Sequence, residues 1–201
     1  MTDRPIIFSA PMIRALIDGR KTQTRRVLKD TETREPYVAD GVVLWDHPDG
    51  PVYRWERVPA VGDRLWVREA YAFGWPVNPG ERLPRDEGPD HAVTYRADGQ
   101  APFGGGKWHP SIHMPRWASR LTLVVTDVRV QRLQDISEAD ARAEGVSGSA
   151  GGTWGCEGLI EDYSDLWNSI YGPDAWDANP WVAALTFDVH RCNIDQMYEV
   201  A

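Results

Sequence analysis

The sequence predicts an α+β fold of short strands, short helices and long loops rather than a helical bundle. Ten tryptophans and fifteen prolines in one chain point that way, because Trp favours pleated, half-buried surfaces and Pro interrupts helices. The residues at 119–132 add a long β-rich run, and two short segments carry helical spacing. With 201 residues, 42% of them hydrophobic, the chain is expected to form a single domain, 1–201, with elaborations.

Each element has its own reason. Ile6, Ile7 and Phe8 form a strand-like run. Pro11 suits the first turn of a helix whose apolar pairs, Met12/Leu16 and Ile13/Ile17, lie four apart. Gly19 ends that helix in the left-handed conformation, so residues 20–26 leave as a loop or an incoming strand. In the polar stretch 30–59, HPDGP at 47–51 is a turn between VVLW and VYRW. Leu65, Val67 and Glu69 then alternate with Trp66, Arg68 and Ala70, the period of a strand. Residues 74–106 are rich in Gly, Pro and charge and hold one strand, 91–95; they read as an insertion or flap. The run 119–132 exceeds an ordinary strand and is expected to bend near Thr126 and Asp127. Ser137 with Asp140 makes a capping pattern for a short helix, 138–144, stopped by Gly145. Residues 147–155 are small and flexible. Leu159, Tyr163, Leu166, Trp167 and Ile170 mark a second amphipathic helix, ended by Gly172 and Pro173, and 181–189 is a closing strand.

Composition also excludes function classes. No apolar run approaches the roughly 20 residues that span a bilayer, and the N-terminal MTDRPIIFSAP has no signal-peptide core. A cytoplasmic protein without membrane partners is expected. Cys156 and Cys192 form no metal or disulfide framework, and both are expected to be reduced. A net charge of -8 argues against duplex DNA, whose phosphates demand clustered Lys and Arg. His109 and His113 are four apart, but Pro110 opposes the helix that would pair them, so no metal is expected. Gly104-Gly-Gly106 lacks the Lys-Ser/Thr of a phosphate loop and reads as a hinge.

Against that acidic background, GRKTQTRRV at 19–27 gathers Arg20, Lys21, Arg25 and Arg26. The pattern Gly19-x-Lys21-x-x-Thr24-x-Arg26, after a short helix, resembles the signature loop of the ASCH family, one of the PUA-like small β-barrels. The strand GDRLWVRE at 62–69, the helix LQDISEADARAEG at 133–145 and the strand after Asn179-Pro180-Trp181 fit the same resemblance. Phe8-Ser-Ala-Pro-Met12 and the segment 111–120 extend it toward phage and prophage ASCH proteins. The resemblance implies a PUA-like barrel with flanking short helices. Many ASCH members have Glu where this chain has Thr24. A short bacterial subgroup that hydrolyses N(4)-acetylcytidine shares the loop, and its Lys, Thr and Glu fall on Lys21, Thr24 and Glu144.

That resemblance implies catalysis by Lys21, Thr24 and Glu144 on an N-acylated or otherwise modified nucleoside, with no cofactor. Lys21, crowded by Arg25 and Arg26, would take the proton of Thr24 as Thr24 attacks the acyl carbonyl. Glu144, at a helix C-terminus, would supply a proton to the departing nitrogen. In the other route Lys21 and Glu144 activate water. Substrate-binding candidates are Arg25, Arg26, Trp66, Arg68, Glu69, Ser111, His113 and Trp117: an aromatic ring to stack on a base and cations to meet a phosphate or carbonyl. The alternative is a non-catalytic module binding RNA, in single strands, or a modified nucleotide, with Lys21 and Glu144 as a plain ion pair, Thr24 capping a turn and the arginines solvated.

Overall fold

Alternation along the chain sets the strands and their faces. In this computed structural model, residues 1–28, 36–39, 42–47, 50–55, 58–74, 92–102, 106–147 and 158–198 are described. Ten strands and three α-helices are placed among them. The strands are β1 Asp3–Ile7, β2 Gln23–Val27, β3 Tyr37–Ala39, β4 Val42–His47, β5 Gly50–Trp55, β6 Arg64–Arg68, β7 Tyr71–Gly74, β8 Ala92–Tyr95, β9 Thr122–Arg132 and β10 Trp181–His190. The helices are α1 Ala10–Ile17, α2 Glu138–Ala143 and α3 Leu159–Tyr171. The fold is mixed α+β: a five-stranded sheet in the order β1-β6-β9-β10-β2, a three-stranded sheet β3-β4-β5 and the pair β7-β8. A closed barrel is not found among the described residues. None of the described helices is long and apolar enough to cross a membrane.

The chain divides into two compact units. The first holds Met1, Gly19–Asp63 and Val125–Asp188; the second holds Thr2–Asp18, Arg64–Val124 and Val189–Ala201.

In the first unit, β2 pairs antiparallel with β10, with Leu185 opposite Thr24, Ala184 opposite Arg25 and Ala183 opposite Arg26. The VVLW and VYRW segments form the antiparallel pair β4-β5, as the turn between them requires. Ser137 Oγ accepts from the Asp140 N–H at 3.1 Å, so the predicted cap of α2 forms. Gly145 closes that helix with φ 91°, a conformation costly to any residue bearing a Cβ. Leu133, Ile136, Ala141, Leu159, Tyr163, Trp167 and Val182 make the core under α2 and α3. Ile170, expected on the buried face of α3, is instead exposed. The buried stripe runs through Leu159, Tyr163 and Trp167, and the last turn of α3 leaves the core, since Tyr171, next in that spacing, is exposed as well.

In the second unit, β1 runs parallel to β6, with Asp3 opposite Arg64 and Ile7 opposite Arg68. Leu65, Val67 and Glu69 are buried while Trp66 and Arg68 are half-exposed, the faces that alternation predicts. Tyr71, Met114 and Ala118 form a core there, packed with Phe73, Val93, Tyr95 and Trp117. The strand expected at 91–95 is β8, and most of the insertion at 74–106 lies outside the described residues, as do 148–157. The long strand β9 is one 11-residue element. Its buried–exposed alternation slips where Thr126 and Asp127 are both exposed, the position of the expected bend.

Candidate functional site

Lys21 is placed by main-chain bonds on both sides of its neighbour. The Thr22 N–H donates to Ala143 O at 2.7 Å, and the Thr22 carbonyl accepts from Phe187 N at 3.0 Å. These bonds fasten the loop between α2 and β10, and Lys21 forms a bridge with Glu144. Gly19, at φ 73°, lets the chain turn from α1 into that position. Further along, Gln23 and Arg25 share one face of β2 and Thr24 and Arg26 the other. Ala183 and Ala184, opposite the two arginines, are small enough to leave room for guanidinium groups.

The opposing carboxylates come from α2. Asp140 and Glu144 are four residues apart, a spacing that stacks them on one helical face. Lys21 Nζ donates to Glu144 Oε2 at 2.7 Å and to the Glu144 carbonyl at 2.9 Å. Arg25 Nη1 donates to Glu144 Oε1 at 3.1 Å, and Tyr163 from α3 adds its hydroxyl to that oxygen at 3.4 Å. Arg25 Nη2 lies 3.2 Å from Asp140 Oδ2, and Arg129 Nη2 donates to Asp140 Oδ1 at 3.1 Å. On the far face of β2, Arg26 Nη1 donates to Thr24 Oγ1 at 2.8 Å.

These groups sit out of water: Lys21 is 0%, Arg25 and Thr24 1% and Glu144 4% exposed. Burial is the largest influence on Lys21 and pushes its ammonium below the usual lysine value. Glu144 pulls it back, and the charges of Arg26 and Arg25 add to the depression. Burial also pushes Asp140 upward, but hydrogen bonds from Arg129 and Gln23 and the nearby guanidinium charges overcome it, leaving that carboxyl lowered. Burial, reinforced by the Glu144 charge, drives the Tyr163 phenol upward. Three cations, Lys21, Arg25 and Arg129, thus meet three carboxylates, Glu144, Asp140 and Asp127. Arg25 Nε is buried and makes no hydrogen bond among the described residues, while Nη2 meets the Asp140 carboxylate. Lys21, Arg25 and Glu144 form its dry centre, and Arg129 with Asp127 its exposed rim.

No family model and no curated protein matches this chain. Among solved structures it is similar to a DUF984-family protein of Enterococcus faecalis V583, at 13% identity and a TM-score of 0.43, over 96% of this chain and 83% of that one. A likeness that distant assigns no family.

The predicted site residues divide between the units. Lys21, Glu144, Arg25, Thr24 and Arg26 assemble in the first. The ion pair expected in the plainer reading is present; of its arginines Arg20 is exposed and Arg26 half-buried, whereas Arg25 is buried against Glu144 and Asp140. Thr24 stands within a strand and caps no turn. Trp66, Arg68, Glu69, Ser111, His113 and Trp117 belong to the second unit. There the Arg68 guanidinium lies 5.2 Å from the Trp66 ring centre and donates to the Ile112 carbonyl. Ser111–His113 is a single 3-10 turn with His113 exposed. Its neighbour His109 stacks on Tyr71. Glu69 is held by Arg120 at 2.9 and 3.1 Å, and Trp117 stacks on Phe73. Sequence reasoning missed Asp140, Tyr163 and Arg129. Asp140 had a signal, the four-residue spacing to Glu144, hidden by its part in the helix cap. Tyr163 reads only as a core position of α3.

Proposed function

We propose that this chain is a PUA-like protein of the ASCH type whose first unit hydrolyses an N-acylated nucleoside, an amide of the N(4)-acetylcytidine kind. The observation that carries this reading is the 2.7 Å contact of Lys21 Nζ with Glu144 Oε2, made across 123 positions of sequence at a buried site. A lysine depressed by burial and by two arginines gives up its proton more readily than a solvated one. Thr24 Oγ1 attacks the acyl carbon, and its proton passes to Lys21. The exocyclic C–N bond then breaks, and the Lys21–Glu144 pair returns a proton to the departing amine. Water cleaves the acyl-threonine ester and restores the hydroxyl. Arg26, already donating to Thr24 Oγ1, favours the negative charge that develops there. Because these groups are closed to solvent in this conformation, substrate entry requires the surrounding side chains to move.

The one Arg25 donor without an acceptor among the described residues, Nε, favours a second reading, capture of an acceptor-rich nucleotide or single-stranded RNA without turnover. One experiment separates the two. Parent, Lys21→Arg and Thr24→Val proteins are incubated with acylated cytidines, and release of the parent nucleoside is followed by chromatography. Hydrolysis predicts turnover in the parent and a loss of about 100-fold or more in Lys21→Arg, whose guanidinium stays protonated. Turnover by Lys21→Arg at the parental rate overturns the lysine-base mechanism, and turnover by Thr24→Val moves the nucleophile to water. Ligand binding with no release by any protein supports the binding module.

A further inference from the structure

Glu144 divides its two carboxylate oxygens between two cations. Oε2 goes to Lys21 Nζ at 2.7 Å and Oε1 to Arg25 Nη1 at 3.1 Å, with the Tyr163 hydroxyl 3.4 Å from that same Oε1. A guanidinium beside a carboxylate tends to take both oxygens at once, through two parallel N–H donors. Arg25 does not. Its Nη1 meets Glu144, while its Nη2 lies 3.2 Å from Asp140 Oδ2.

Asp140 is placed to hold the guanidinium in that pose. Ser137 caps α2 through the Asp140 backbone N–H, so the Asp140 side chain is left for other partners. Arg129 Nη2 donates to its Oδ1 at 3.1 Å and anchors it from β9, and Gln23 on β2 bonds to it as well. Arg129 Nε in turn lies 3.3 Å from Asp127 Oδ2. Alternating charges therefore run from the rim, where the Asp127 and Arg129 side chains are 52% and 42% exposed, through Asp140 and Arg25 to the sealed Glu144 and Lys21. The charged groups facing Lys21 are Glu144, Arg25 and Arg26; those facing Asp140 are Arg129 and Arg25.

From this division of oxygens and nitrogens we infer that Asp140 is a positioning residue for Lys21. By occupying Arg25 Nη2 it stops the guanidinium from forking onto both oxygens of Glu144, and Oε2 is kept for the lysine. Without Asp140, Nη2 turns to Oε2, Arg25 grips Glu144 with both nitrogens, and Lys21 loses its carboxylate. The consequence for turnover rests on the hydrolytic reading above, in which the Lys21–Glu144 pair returns the proton to the departing amine. The positioning itself does not.

The test uses the full chain, whose three lysines are Lys21, Lys29 and Lys107. Lysine labelled with carbon-13 beside the amine gives one NMR signal for each, and Lys21→Met identifies the one of interest. The bond and charge of Glu144 favour the Lys21 ammonium, so loss of that partner lowers the pH at which Lys21 titrates. Asp140→Ala should bring the Lys21 midpoint down by about one pH unit, and Asp140→Glu should restore most of the drop. In an Arg25→Met background no guanidinium competes for Oε2, and there Asp140→Ala should leave the midpoint nearly in place. Asp140→Asn, which keeps the side-chain volume and one oxygen, should give a smaller drop and serves if Asp140→Ala does not fold. A Lys21 midpoint unmoved or raised in these variants overturns the inference. So does an equal drop with and without Arg25, which would make the effect a direct field of Asp140. Nucleoside release from an acylated cytidine tells the two readings apart: a parent without turnover ends the hydrolytic one, and the Lys21 titration still decides on Asp140. With turnover, the pH profile of Asp140→Ala should move with the Lys21 midpoint; a profile that stays while the midpoint moves counts against Lys21 as the base and leaves Asp140 as its positioning residue.

Discussion

The two units bury charge in opposite proportions. In the first, one carboxylate, Glu144, takes bonds from two cations, Lys21 and Arg25. In the second, one cation, Arg120, takes Glu69 on one side and Asp98 on the other, with four hydrogen bonds between 2.8 and 3.1 Å. Arg120 lies over the Tyr95 ring as well and is fully engaged. Arg25 spends Nη1 on Glu144 and Nη2 on Asp140, and its Nε finds no acceptor among the described residues. Exposure differs in the same sense: Arg120 and Asp98 side chains are 26% and 38% exposed, whereas Lys21, Arg25 and Glu144 are sealed. The second pair reaches water through Arg120 and Asp98, although Glu69 itself is buried. In the first, both members of the Lys21–Glu144 pair are closed to water, so the two clusters should respond differently when their central carboxylate is removed.

The largest expected effect breaks the central carboxylate of each cluster. Glu144→Ala removes the carboxylate that Lys21 and Arg25 share, and removal of one partner from a buried charge pair costs about 3–5 kcal/mol. Glu69→Ala leaves Arg120 with Asp98 and partial access to water, for a cost of about 1–3 kcal/mol. Urea unfolding of both variants measures the difference. A Glu144→Ala protein no less stable than Glu69→Ala would erase the distinction between the clusters.

A middle-sized effect sharpens it through pH. Burial holds Lys21 below its ordinary value of 10.5 in the folded protein. Between the folded and unfolded values the unfolded chain binds the extra proton, so this lysine makes stability rise with pH in that alkaline window. Glu69 shifts the other way. Burial raises it above 4.5, against the pull of Arg120, so its contribution is full below that value and is lost as pH rises through the folded pKa. Tyr95, pushed up to about 12 by burial, also bends the alkaline arm, so differences from the parent isolate each group. Lys21→Met should remove an upward alkaline slope and Glu69→Gln a downward acidic one, both read from stability curves over pH. Equal slopes for variant and parent would deny the shift concerned.

What the sequence made legible follows from how local each signal is. The α+β class, the caps at Ser137 and Gly145 and the two faces of β6 come from spacing within one element, and each is found where spacing put it. The meeting of Lys21 with Glu144 is different. It depends on Thr22 being bonded to both Ala143 and Phe187, a long-range arrangement that no periodicity encodes; in the sequence only the resemblance of the loop links the two residues. The same limit explains why the candidates of the second unit were grouped with the first. A list of plausible chemical types carries no coordinates, and the pairing of β2 with β10 and of β6 with β1 and β9 decides which side chains become neighbours. Tyr163 stayed hidden because a phenol that packs in a core and touches a carboxylate has the same helical spacing as one that only packs.

The smallest expected effect concerns that phenol. Tyr163 donates to Glu144 Oε1 at 3.4 Å, near the outer limit of hydrogen bonding, while its ring sits 6.0 Å from the Arg25 guanidinium and packs against Trp167 and Trp176. Tyr163→Phe keeps the ring, its packing and its face toward Arg25, and removes only the long bond. Tyr95→Phe does the same in the second unit but breaks a 2.9 Å bond to Ala118 O, leaving a carbonyl without that donor. The first change should cost about 0.5 kcal/mol and the second about 1 kcal/mol, since the poorer bond returns less and Glu144 retains Lys21 and Arg25. If Tyr163→Phe instead proves several times the more costly, measured by the same unfolding curves, the phenol is a principal holder of Glu144. The first cluster would then count a neutral donor among its essential partners, and the contrast between the units would rest on hydrogen-bond supply more than on charge.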